Sequence, residues 1–225
     1  MHARYSIPAA LLLAVVSSVS AFAQGTAAPG AVSPEPRFYI AAIGGAVSSP
    51  TEPVFGVEIA EHLGRRAKVQ VYATISYFEN LMRQSLRDDL DFTATRLATL
   101  TGDPWSLSGR DRGVALVVGG KYVFGDGTIR PYVGGGAGVI NLKRTVFDTR
   151  IGDVTRAVFN DFEVGDADLS SVTDGINRPL VEAAFGVGIG TGRTHFDIGY
   201  RYRTAYRLAT GLDFSQVSAG VGYRF

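Results

Sequence analysis

From Phe38 onward the chain repeats one pattern, in which apolar residues alternate with polar or small ones over runs near ten residues long. Eight runs carry it: Phe38–Val47, Val54–His62, Lys68–Phe78, Gly113–Phe124, Ile129–Leu142, Pro179–Gly190, Thr194–Ala205 and Leu212–Phe225. A period of two is the geometry of a β-strand, whose successive side chains point to opposite faces. In the last run Val217, Ala219, Val221, Tyr223 and Phe225 share one face against Gln216, Ser218, Gly220, Gly222 and Arg224. In the third, Val69, Val71, Ala73, Ile75 and Tyr77 oppose Lys68, Gln70, Tyr72, Thr74 and Ser76. The sixth sets Val181, Ala183, Phe185, Val187 and Ile189 against Glu182 and small residues, and the seventh sets Phe196, Ile198, Tyr200 and Tyr202 against Asp197, Arg201 and Arg203. The first run leaves its parity open.

The connections add an independent signal. Leu63–Ala67, Gly125-Asp126-Gly127 and Thr191-Gly192-Arg193 are short, whereas 79–112 and 143–178 are long. Short and long connections alternate, as they do where tight turns face the periplasm and longer loops face outward. With each run near the roughly 9–11 residues of a tilted membrane-crossing strand, the pattern predicts an all-β fold. It is an eight-stranded antiparallel up-and-down transmembrane barrel over residues 37–225, apolar outside and polar within. The periodic runs alone leave a count of ten strands open. No apolar stretch after Pro36 is long enough for a crossing helix.

The N-terminus reads as an export signal. His2 and Arg4 precede the short apolar run Ile7–Val19, and Ala21-Phe22-Ala23 offers small residues to a signal peptidase. Residues 1–23 are therefore expected to be removed before Gln24, by way of the general secretory pathway. Residues 24–36, with Pro29, Pro34 and Pro36, read as a disordered leader. Charge adds little: 22 Lys plus Arg face 21 Asp plus Glu, and loss of Arg4 with the signal leaves 21 of each. No basic field points to nucleic acid. With no cysteine in 225 residues, disulfides and thiolate metal sites are excluded.

Within the predicted barrel the inward face collects Glu58, Lys68, Lys121, Arg130, Glu182, Asp197, Arg201 and Arg203. Eight strands leave an interior just wide enough for side chains, so these charges are expected to pair across a filled lumen. An open, ion-conducting lumen is the alternative. Small residues at Gly134, Gly135, Gly136 and Gly138 suit a crowded interior. A dinucleotide loop is excluded because neither this run nor Gly186-Val-Gly188-Ile-Gly190 continues into a helix. Tyr39, Tyr77, Phe78, Tyr122, Phe124, Tyr202, Tyr206, Tyr223 and Phe225 stand near strand ends, as two interfacial girdles would.

The C-terminal alternation Val217, Ala219, Val221, Tyr223 and Phe225 looks like the assembly signal of outer-membrane barrels. Together with Arg130-Pro131-Tyr132-Val133-Gly134-Gly135-Gly136-Ala137-Gly138-Val139 it resembles the small OmpA-like or opacity-type family of the porins. The resemblance covers the whole chain after the leader. It implies residence among outer-membrane lipids and lipopolysaccharide, insertion by the barrel assembly machinery, and loops displayed at the cell surface. The chain ends at its last strand, without the peptidoglycan-binding domain that some relatives carry, so a cell-wall-anchoring role is not expected.

Candidate chemistry is thin. His2 leaves with the signal, while His62 and His195 fall at the turn end of their strands, where no hydroxyl and acid complete a triad. An outer-membrane lipid-modifying enzyme is therefore the weaker alternative to a non-enzymatic structural, adhesin-like or narrow-pore protein, and a soluble exported β-sandwich or ligand-binding barrel is a third. No cofactor or metal site is expected: Asp166-Ala-Asp168-Leu-Ser170 lacks the turn glycine and terminal Glu of a calcium loop. In the first long connection Leu86, Leu90 and Leu97 recur at helix-like spacing and read as a short amphipathic surface helix within Asn80–Leu100. The second is acidic, from Asp148 to Asp174. The two long connections are the candidate surface for an extracellular ligand.

Overall fold

A computed structural model describes residues 38–48, 51–63, 68–158, 175–191, 193–206 and 212–225. The expected signal peptide, the leader and the acidic residues Asp161, Glu163, Asp166, Asp168 and Asp174 lie outside them. The strands are β1 (Phe38–Ser48), β2 (Thr51–His62), β3 (Val69–Phe78), β4 (Leu107–Val123), β5 (Ile129–Asp148), β6 (Gly152–Asp153), β7 (Ile176–Thr191), β8 (Thr194–Ala205) and β9 (Leu212–Arg224). Helix α1 (Gln84–Thr101) lies between β3 and β4.

All pairings are antiparallel and, the two-residue β6 apart, each strand pairs with the next in the chain. β1 also pairs with β9, from Tyr39 opposite Arg224 to Val47 opposite Gln216, and this closes the ring. β6 pairs only with the end of β5, so eight strands form the wall. Around the closed ring each strand is paired on both sides, the β4–β5 extension and β6 aside.

Alternation decides what each strand shows. Along β8, Phe196, Ile198 and Tyr202 are exposed while His195, Asp197, Arg201, Arg203 and Ala205 are buried. β3 and β9 behave as the periodicity predicts, with Val69, Val71, Val217, Val221 and Tyr223 on the outside. β1, whose parity the sequence leaves open, turns Tyr39, Ala41, Ile43 and Val47 inward. Gly119, Gly136, Gly186 and Gly199 are at inward positions beneath tyrosines that reach across the lumen. A Cβ at Gly136 would come within 3.1 Å of the Tyr72 hydroxyl, and one at Gly186 or Gly199 within 2.6 Å or 2.5 Å of the Tyr132 hydroxyl.

Two features differ from the sequence reading. Tyr39 and Phe78 do not join an interfacial girdle; both face inward and are buried, whereas Tyr77, Tyr122, Phe124, Tyr202, Tyr206, Tyr223 and Phe225 are exposed. Parity outweighs position along the strand here. Secondly, β4 and β5 run about six residues past their expected ends, pairing Leu107–Arg112 with Lys143–Asp148. The outer face of this extension is mostly polar, with Ser108, Arg110, Arg112 and Lys143 exposed beside Phe147.

Helix α1 covers the extension's buried face. Leu90, Ala94 and Leu97 pack with Met82, Leu107, Val146, Val154 and Val158 into a core separate from the lumen. The helix ends at Gly102, whose left-handed φ of 75° favours a residue without a Cβ. A buried pair braces the base of this cap: Arg144 donates to Asp111 through Nε at 2.7 Å and Nη2 at 2.6 Å.

Candidate functional site: the lumen

The lumen is layered. At the loop end Val47, Val54, Phe78, Leu81, Ile140, Leu142, Leu180 and Phe214 form an apolar plug. The polar inside expected from the alternation thus has an apolar layer above it, where residues near the long connections pack on one another beneath the cap. The ionic layer lies below this plug.

Glu58 on β2 is its centre. Oε1 accepts from the Tyr39 hydroxyl and from Lys121 Nζ, both at 2.5 Å, while Oε2 accepts from Arg201 Nη2 at 2.5 Å and from Thr74 at 3.3 Å. Glu182 on β7 is the second acceptor. Its Oε1 takes the Tyr72 hydroxyl at 2.7 Å and lies 3.6 Å from Arg201 Nη1; its Oε2 takes Arg203 Nε at 2.6 Å. Arg203 also donates to Gln216 Oε1 at 2.9 Å. Aromatic faces complete the cation shells: Lys121 Nζ is 4.6 Å from the Tyr132 ring centre and 5.0 Å from that of Tyr72. Asp197 accepts from the Tyr132 hydroxyl at 3.0 Å. Glu58, Lys121, Glu182, Asp197, Arg201 and Arg203 are each less than 10% exposed. A buried ion costs several kcal/mol unless paired and hydrogen-bonded, and here three cations meet two carboxylates, Glu58 and Glu182.

Six of the eight expected lumen charges are therefore buried within the lumen, and five of them meet in ion pairs while Asp197 meets Tyr132. Lys68 does not: it precedes β3 and is exposed. Arg130 has the inward parity but stands half-buried at the turn-end mouth, where Nε donates to the Gly127 carbonyl at 2.8 Å. Period two assigns a face and says nothing of height along the barrel axis, so residues at the rim are counted with those inside. Of the hydrogen-bonding shell, Tyr72, Thr74 and Gln216 stand on the predicted polar faces and Tyr132 shares the inward parity of Arg130, but none was singled out as a site residue; Tyr39 was hidden by the open parity of β1. Of the C-terminal alternation, Val217, Ala219, Val221, Tyr223 and Phe225 all face outward and are exposed.

The remaining inward groups cluster at the turn end. His62 hydrogen-bonds Gln70 Nε2, and His195 lies 4.5 Å, centre to centre, from the Tyr39 ring while its Nδ1 contacts Arg224 Nη2 at 2.9 Å. At the other end of the molecule Asp148 anchors the cap, accepting backbone N–H groups from Ser106 at 3.0 Å and from Arg150 at 2.9 Å. Those bonds, that of Ser106 first, hold its carboxyl below the usual aspartate range.

No protein-family model matches the sequence, and no curated protein matches it. Among solved structures, the crystal structure of Neisserial surface protein A is similar, with a TM-score of 0.52 and 14% identity over 84% of this chain and 97% of that one. The N-terminal β-barrel domain of Pseudomonas aeruginosa OprF gives a TM-score of 0.48 at 14% identity, covering 85% and 98%. Ail, the attachment invasion locus protein of Yersinia pestis, gives 0.46 at 12%, covering 85% and 99%. The chain has the fold of the small eight-stranded outer-membrane barrels, which fits the OmpA-like or opacity-type resemblance.

Proposed function

We propose that the chain is an integral outer-membrane protein of a Gram-negative bacterium, with a filled lumen, that works at the cell surface through its loop-end cap. The observation that carries this reading is the inversion of the wall. Phe55, Phe185, Ile198 and Val217 are more than half exposed on the outside while five paired charges are buried within. Water would not stabilise that arrangement, and a hydrocarbon layer does. Outer-membrane lipids and lipopolysaccharide are the partners of this face. Val217, Ala219, Val221, Tyr223 and Phe225 serve as the signal read by the barrel assembly machinery.

A non-enzymatic role is supported by the state of His195, whose Nδ1 is engaged by Arg224 and does not activate a hydroxyl. The cap supports surface interaction instead. It has its own core and presents Phe92, Leu100 and Ile151 outward, each more than 60% exposed.

Two measurements test the reading. The protein should fractionate with the outer membrane and migrate faster on a gel unboiled than boiled; recovery in a detergent-free periplasmic extract overturns it. In planar bilayers the pure protein should pass no steady current. A stable, ion-selective current altered by Arg201→Ala would make the lumen a narrow pore.

A further inference from the structure

We propose that the turn-end mouth of the lumen is an oxyanion site, which takes a carboxylate or phosphate group by one of its oxygens. The mouth is a narrow cleft between Gln70, Lys121, Arg130, His195, Asp197 and Arg224, with room for about one water-sized atom. Two buried polar atoms of these lining residues have no partner: His195 Nε2 and Arg224 Nε. Both residues are more than nine-tenths buried.

Both orphans are donors. A guanidinium has hydrogens to give and no lone pair, so in the contact between Arg224 Nη2 and His195 Nδ1 the imidazole nitrogen accepts. The proton of the neutral ring is then on Nε2. Arg224 Nε carries a hydrogen in every state of the side chain. Two buried N–H groups without acceptors are costly, so an acceptor drawn in at the mouth to either of them is stabilised there. Charge selects an anion over a neutral carbonyl. The cleft has three cations, Lys121, Arg130 and Arg224, against the single carboxylate of Asp197, which already accepts from Tyr132. Lys121 is held by Glu58, so Arg224 and Arg130 are the cations left to meet a ligand.

The backbone is shaped to hold these donors. A Cβ at Gly190 would come within 2.8 Å of Arg224 Cζ, and one at Gly188 within 3.0 Å of His195 Cε1. The guanidinium and the ring thus lie directly against β7 where it has no side chain. Because the cleft has room for one atom, the ligand enters tip first, with an anionic oxygen toward His195 and Arg224. Its remaining oxygens stay at the rim beside Arg130, whose fork geometry suits carboxylate and phosphate alike.

The test uses the full mature chain folded in a maltoside detergent, titrated with inorganic phosphate and with acetate by calorimetry. The His195 ring nitrogens are followed by NMR. Saturable one-site binding that shifts the Nε2 resonance is expected. Arg224→Gln and His195→Phe should weaken it at least tenfold, and Arg130→Gln several-fold. Repeating the phosphate titration in nanodiscs separates the sources. Competition from phosphatidylglycerol discs, absent with phosphatidylcholine, identifies a lipid headgroup; equal affinity in both identifies a soluble anion. Absence of saturable binding by both anions overturns the proposal, as does equal affinity in wild type and His195→Phe. Arg130 bonds only the carbonyl of its own turn among the described contacts, so Arg130→Gln should fold even where Arg224→Gln does not, and unchanged affinity there is equally fatal.

Discussion

Glu58 shows how much one side chain settles in this barrel. It accepts four hydrogen bonds, from β1, β3, β4 and β8, and two of the donors are cations. Glu58→Gln keeps the shape and removes the charge, leaving Lys121 and Arg201 underpaired in a buried layer. Breaking a buried pair from one side costs about 3–5 kcal/mol. Urea unfolding in phospholipid vesicles should register a loss of that order. A neutral result would mean that water reaches the layer and solvates the two cations. The sequence made this residue legible as an inward acid, because parity follows from the apolar neighbours Val57 and Ile59. It did not reveal which cations meet it, since Lys121 and Arg201 lie 63 and 143 residues away.

Among the elements, the outer faces of the strands were the most legible and the cap the least. Ile198 lies mid-strand on β8 and is 58% exposed. Ile198→Arg should therefore destabilise the membrane-inserted state by about 2–4 kcal/mol, the depth-dependent cost of a cation facing lipid. If vesicle unfolding shows no change, the outer face is not in contact with hydrocarbon. The β4–β5 extension escaped the sequence reading because its buried residues, Leu107, Asp111, Arg144, Val146 and Asp148, mix charges with aliphatics. Their cover comes from α1, whose leucine spacing was readable but whose docking face was not. Leu97→Ala opens a cavity in that small core, and about 2–5 kcal/mol of local stability should go with it. Hydrogen exchange should show faster amides in α1 and unchanged protection in the barrel strands. Acid should act on the same element. The Asp148 carboxyl is held below its unfolded value, near 3.9, so its contribution is present above that pH and is lost as pH falls through the folded value. Asp153, held down by the Thr155 hydroxyl, adds in the same direction. Exchange in the cap should therefore rise below about pH 4.

For the whole molecule, Phe225 connects the end of β9 to the start of β1. Its N–H donates to the Phe38 carbonyl at 2.8 Å, and its ring lies 5.9 Å from that of Phe38 beside the β1–β9 seam. Deleting Phe225 should lower the amount of heat-modifiable, membrane-inserted protein in cells. Refolding of the same variant from urea into detergent should change little if the residue acts as an assembly signal, and should fail if it acts as a clasp on the seam. The closed topology was legible from loop lengths and parity together. The layering of the lumen was not, because one strand's alternation is the same whether its inward residue meets an apolar plug or an ion.

The ionic layer also bears on how long the barrel lasts once formed. Glu58 on β2 is bound by groups from β4 and β8, and Glu182 on β7 by groups from β3 and β8. No two or three neighbouring strands assemble this set; it exists only when the seam between β1 and β9 has shut. Interactions that form after the rate-limiting step leave the forward rate almost untouched and slow the reverse one. The layer therefore acts as a latch. Its loss would shorten the lifetime of the inserted barrel while leaving the speed of insertion almost the same.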